Sequence, residues 1–165
     1  MKKFLSIILA GGMFAACSVT AFAAEITEST DPQQGEAIIT TAIAPSYIVT
    51  IPVDTAVTFN TINTNFGAVE LTSAQLEPDK CVKVTMTSDG ELNNTADNTK
   101  IIPYTIYEGT VANVTENVFV SAEYTTVGEK TDLTINITQD DWNKAYAGQY
   151  GDTVTFNIEY ADITA

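Results

Sequence analysis

The chain has 165 residues, with seven Lys or Arg, twenty-one Asp or Glu and no His, for a formal charge of −14. Without histidine, Ser/His/Asp and Cys/His catalysis and imidazole metal sites are excluded, and without arginine so are bidentate anion clamps. A surface this acidic repels nucleic acid and anionic lipid, and no enzyme is expected.

Lys2 and Lys3, the apolar run 4–14 and the Ala21-Phe22-Ala23 site have the layout of a secretory signal over residues 1–23, cleaved before Ala24. The run is too short to span a bilayer. The mature chain is therefore expected to be secreted, extracellular or cell-surface associated, with no membrane insertion once the signal is gone. Phe14-Ala15-Ala16-Cys17 offers a competing lipobox that would leave a lipidated Cys17, although Phe is a poor substitute for the Leu expected there. Loss of Lys2 and Lys3 leaves five lysines against all twenty-one acidic residues.

Residues 24–35 are polar, close on Asp31-Pro32-Gln33-Gln34-Gly35 and read as a disordered leader. Residues 36–165 are expected to form one domain. In 36–44, Ala37, Ile39, Thr41 and Ile43 share one face and Ile38, Thr40 and Ala42 the other, so this strand is apolar on both sides and belongs between two others. It is either the first strand of its own domain or a strand donated to a neighbour, with Ile39, Thr41 and Ile43 as the inserting residues.

Tyr47, Val49 and Ile51 face inward in the next strand, which Pro52 stops. Short strands are predicted at 57–59 and 66–71. The Glu77-Pro78-Asp79-Lys80 turn leads into a strand with Val82, Val84 and Met86 inward and Cys81 outward. Ile102, Tyr104 and Ile106 alternate around Pro103, which marks an edge or a bulge. A strand over 117–124 precedes the terminal pair: Leu133, Ile135 and Ile137 in one strand, then Val154, Phe156, Ile158 and Tyr160 in the other. Between them Thr138 can cap one helical turn, Trp142 can fold over the end of the core, and Tyr150 is placed like a tyrosine corner. Phe156 and Ile158 are core positions by parity. About seven to nine short strands and one helical turn give an all-β class, an immunoglobulin-like antiparallel β-sandwich. Only 161–165 follow Tyr160, so the domain is expected to lack its own final strand.

The stretch 147–160, Ala-Gly-Gln-Tyr-Gly-Asp-Thr-Val-Thr-Phe-Asn-Ile-Glu-Tyr, resembles the terminal strand of pilin subunits of the chaperone/usher and spore-coat-U type. The resemblance covers the end of the chain. It implies a subunit completed by an extended N-terminal segment of its neighbour. The chain departs from that pattern in having no disulfide pair, because Cys81 is the only cysteine outside the signal.

Carboxylates are the remaining chemistry. Asp89, Glu91 and Asp97 share a loop with the amide oxygens of Asn93, Asn94 and Asn98, a donor set that suits Ca²⁺ but lacks the spacing of a calcium loop. No other cofactor is expected. The residues point to a secreted bacterial structural or adhesive surface protein, a self-assembling pilin-like subunit. The alternative is a monomeric extracellular module that binds glycans or a partner protein. The subunit reading implies further copies of the chain as partners, and the module reading a surface protein or glycan.

Overall fold

The computed structural model describes residues 27–29, 34 and 37–164. The signal segment with Cys17, and most of the leader, lie outside the described residues. The elements in order are β1 (Ser46–Thr50), β2 (Asn63–Gln75), β3 (Lys80–Thr87), β4 (Glu91–Asn94), β5 (Ile101–Pro103), β6 (Thr105–Thr110), β7 (Asn113–Val118), β8 (Ser121–Tyr124), β9 (Lys130–Asn136), α1 (Gln139–Lys144), β10 (Tyr150–Gly151) and β11 (Thr155–Asp162).

Two sheets make an all-β sandwich. One has the order β1-β2-β9-β6-β7 and the other β11-β3-β8, while β10-β4-β5 forms a small third sheet. The alternation seen in the sequence explains the packing. Val69 and Leu71 of β2, Leu133 and Ile135 of β9 and Ile106 of β6 face Val82 and Val84 of β3 and Tyr124 of β8 in one buried cluster. Pro103 ends β5, an outer strand of the small sheet, where its missing N–H leaves no gap in a ladder.

Three expectations need correction. Residues 117–124 are not one strand, because the chain changes sheets there: β7 lies beside β6 and β8 beside β3. Phe119, fully buried, plugs the crossing. Second, 51–62 contains no strand, and the chain instead passes close over β2. Gly67 sits at a bulge with φ +114, and a Cβ there would lie 3.5 Å from Pro52.

Third, Cys81 is outward by parity yet has no exposed surface. The chain past β11 folds back over the outer face of β3. Ile163 N–H donates to the Asp79 carbonyl at 3.1 Å, Thr164 Oγ1 donates to the Glu123 carboxylate at 2.6 Å, and the Cys81 thiol faces the Asp162 carbonyl at 3.7 Å. Burial, then the nearby Glu123 carboxylate, pushes the thiol pKa up, so Cys81 is an unreactive core group.

Candidate assembly groove

β11 has β3 on one side and, among the described residues, no strand on the other. The consequence shows in neighbouring residues of one ladder. Ile158 pairs with Val84 and Tyr160 with Val82. Val82 and Val84 are fully buried, whereas Ile158 and Tyr160 remain half-exposed although they point the same way. Phe156 and Val154 are half-exposed too. Phe156 and Ile158 therefore pack against the core without being enclosed by it. On the facing sheet β1 is also an outer strand, and Tyr47 and Val49 are half-buried in the same way. The cover over the core stops along a seam between β1 and β11.

At one end of the seam, between residues 51–57 and 152–156, lies a solvent-open cavity of about 490 Å³ whose apolar wall includes Ile51, Val57, Phe66, Val154 and Phe156. Aromatic contacts bridge it at intervals. Tyr47 stacks on Tyr160 with centroids 6.2 Å apart and planes 16° apart, and Phe66 meets Phe156 at 6.2 Å. The Tyr160 hydroxyl accepts from the Glu77 N–H at 2.9 Å and donates to the Glu77 carboxylate at 3.3 Å, which fixes one end. At the other end the hydroxyls of Tyr104 and Ser88, 2.6 Å apart, both donate to the Asp152 carboxylate. Burial, then the hydrogen bond to Asp152, pushes the Tyr104 pKa well above the usual phenol range. This phenol stays a neutral donor and cannot serve as a base at physiological pH.

The N-terminal apolar segment is the converse of the groove. Residues 37–44 form no regular strand, and every one is exposed. Ile39 is 97% exposed and Ile43 66%, with Thr41 exposed between them. Single exposed apolar residues are ordinary on a protein surface, but a run of isoleucines that packs on nothing is not.

The other singled-out residues serve the sandwich ends. Thr138 caps α1 by accepting from the Asp141 N–H at 3.2 Å. That turn buries Trp142, whose indole N–H donates to the Thr61 carbonyl at 3.0 Å while Phe59 meets its ring edge-on at 5.4 Å. Tyr146 stays exposed, with the Lys100 ammonium 4.9 Å above its ring. The Tyr150 hydroxyl donates to the Tyr146 carbonyl at 2.9 Å. In the carboxylate loop, Asn94 accepts from the N–H groups of Ala96 and Asp97, Asp97 from Thr99, and Asp89 from Glu91. These oxygens close turns, and the described residues contain no group of three metal-ligating side chains of the His, Cys, Asp or Glu type.

The seam-bridging Tyr47–Tyr160 pair and the Tyr104–Ser88–Asp152 triad were missed by the reading of the sequence. Both tyrosines of the first pair had inward parity, which was the available signal. The triad joins loops far apart in the chain and left no local pattern.

No family model matches the chain, and no curated protein matches it. Among solved structures, a chain from work on a chaperone–tip adhesin complex vital for synergistic activation of CFA/I fimbriae biogenesis is similar at a TM-score of 0.45 and 10% identity. The alignment covers 66% of this chain and 40% of that one, so this chain spans less than half of that chain's length. A likeness that distant carries no functional assignment.

Proposed function

We propose that this protein is a secreted bacterial structural or adhesive surface protein of the pilin-like kind, whose subunits join when residues 36–44 of one copy lie along the free edge of β11 in the next. The supporting observation is the match between an apolar seam with no strand in it and an exposed segment, 37–44, rich in isoleucine and without packing of its own. An open β edge offers a row of unpaired N–H and C=O groups, and the half-covered floor behind it gains from burial. Ile39, Thr41 and Ile43 alternate toward that floor when the segment is extended. Each subunit gives one segment and receives one, so the contact is head-to-tail and propagates into open filaments.

The test removes the segment. A chain lacking residues 24–44 should be monomeric, less stable or aggregating, and rescued by a synthetic 36–44 peptide. Ile39→Asp with Ile43→Asp should mimic the deletion, since each would bring an unpaired carboxylate into an apolar groove. A truncated chain that keeps both its melting temperature and the assembly state of the full chain would remove this reading in favour of the monomeric binding module.

A further inference from the structure

If subunits assemble through the groove, the chain directions determine which ends meet, so the identity of the touching ends rests on that assembly reading. β3 runs from Lys80 to Thr87, and β11 returns along it with Thr155 opposite Thr87 and Asp162 opposite Lys80. The sandwich thus has a Lys80 pole and a Thr87 pole. β1 starts at the Lys80 pole, because Ser46 pairs with Gln75 just before the turn into β3. Residues 37–44 therefore leave the subunit at its Lys80 pole, with Pro45 alone between them and β1.

Strand pairs in this fold are antiparallel, the sense that is slightly more stable per residue. A segment laid antiparallel on β11 runs toward the Thr87 pole and emerges beside Ser88 and Asp152. One linking residue spans at most about 3.6 Å. The Lys80 pole of the donor must then rest directly on the Thr87 pole of the acceptor. Laid the other way, the segment would set two Lys80 poles face to face and close a pair.

The groove-side rims of both poles are acidic. Glu77, Asp79, Asp162 and Glu129 are exposed at or beside the Lys80 pole, where the Lys80 ammonium is already held by Asp162 at 2.6 Å. The nearby Lys130 is engaged by Asp132 at 3.1 Å. Asp54, Asp89 and Asp152 are exposed around the Thr87 pole, with Asp54 and Asp152 on the lip of the groove. No lysine occurs in 51–58, 86–91 or 149–155, the segments that form this lip. Both lysines at the opposite surface, Lys80 and Lys130, are thus already paired within their own subunit.

We propose that this contact between like-charged poles makes subunit joining depend on cations, which screen the two acidic surfaces as they close. Repulsion between exposed charges acts mainly on the rate of encounter. The screening length falls from about 30 Å at ~0.01 M ionic strength to about 8 Å at ~0.15 M. Assembly should therefore accelerate with salt, and Mg²⁺ should act at lower concentration than Na⁺.

The experiment follows filament formation of the mature chain by light scattering and negative-stain imaging, from ~0.01 to ~0.15 M NaCl and with added MgCl₂. The expected result is a rate increase of roughly tenfold or more across that range. Asp54→Lys, at an exposed position, should assemble faster than the parent at low salt and lose most of the salt response, and Asp54→Asn should fall between them. The 36–44 peptide carries no pole, so its binding to a chain blocked by Ile39→Asp and Ile43→Asp should respond much less to salt. A salt response of equal size for peptide and subunit would overturn the pole contact, as would assembly indifferent to salt and to Asp54→Lys. Absence of assembly at every salt, together with no peptide binding, would instead overturn the assembly reading on which the cation dependence rests.

Discussion

Phe156 and Phe119 belong to the same core but differ in cover, and that difference can be measured. Phe119 is fully buried where the chain changes sheets, so Phe119→Ala removes the ring and leaves a closed cavity, at a cost of about 3–5 kcal/mol. Phe156 packs on the core while facing the open seam. A buried aromatic side chain covers roughly 150–250 Å², so a ring about two-thirds covered buries about 130 Å² and, at about 25 cal/mol per Å², loses about 3 kcal/mol on truncation. The cavity term is absent because the space opens to water. Urea unfolding should be measured in the Ile39→Asp, Ile43→Asp background, which keeps the groove empty, with each alanine variant compared at constant m. Saturating 36–44 peptide should then raise the penalty of Phe156→Ala toward that of Phe119→Ala, which itself should not move. Equal penalties without peptide would mean that the β11 seam is already closed, and a peptide effect independent of Phe156 would mean that it binds elsewhere.

Tyr150→Phe removes the donor to the Tyr146 carbonyl and should lower stability by roughly 1 kcal/mol, read as a shift in the urea midpoint. Thr134→Val should cost about 1–3 kcal/mol in the same assay, because the fully buried Thr134 hydroxyl donates to the Gly109 carbonyl at 2.7 Å and that acceptor would lose its side-chain partner. Gly109→Ala should be among the most damaging single changes, since φ is +108 and a Cβ would lie 2.3 Å from the Asn113 backbone oxygen; a near-wild-type melting temperature would contradict the β6–β7 turn geometry. The Glu129 carboxylate accepts from the N–H groups of Thr125 and Thr126 at 2.6 and 3.1 Å, which holds its pKa below the usual carboxylate range. A depressed folded-state pKa adds stability that is complete above the unfolded value, near about pH 4, and is lost as pH falls through the folded value. Glu129→Gln should accordingly melt lower than the parent at pH 7 and converge with it at strongly acid pH.

The sandwich was legible because its strands obey a period of two that burial on one face enforces. Val82, Val84, Leu133, Ile135 and Ile106 each lie where parity predicts. Parity reports direction and not cover, which is why it set Phe156 and Ile158 toward the core, where they pack only partly covered, and left Cys81 exposed, where it is buried. Cover depends on what the rest of the chain lays over each face. At Cys81 it is the returning chain end at Ile163 and Thr164, and beside Phe156 the described residues lay no strand along the free side of β11. The same limit applies to 117–124, where continuous alternation concealed a change of sheet around Phe119.

The groove was therefore visible in the sequence only through its two halves: a terminal strand with one apolar face and an N-terminal segment with two. The two faces of that segment are unequal, so a position beside one strand can bury the stronger face and leave the weaker one outward. In the structure residues 37–44 occupy no position in a sheet at all, and Ile38 and Ile39 are 89% and 97% exposed. Within the β11 seam the inward face would cover Phe156 and Ile158, while Ile38, Thr40 and Ala42 would face outward. The outward face holds only one large apolar residue, Ile38, near the segment's start. The inward face holds Ile39 and Ile43 with Thr41 between them, a spacing that sets the two large side chains on one side, separated by four residues. That asymmetry favours one orientation of the segment over its flipped register, since a slip of one residue would move both inserting isoleucines into water and bring Thr40 and Ala42 onto the apolar floor.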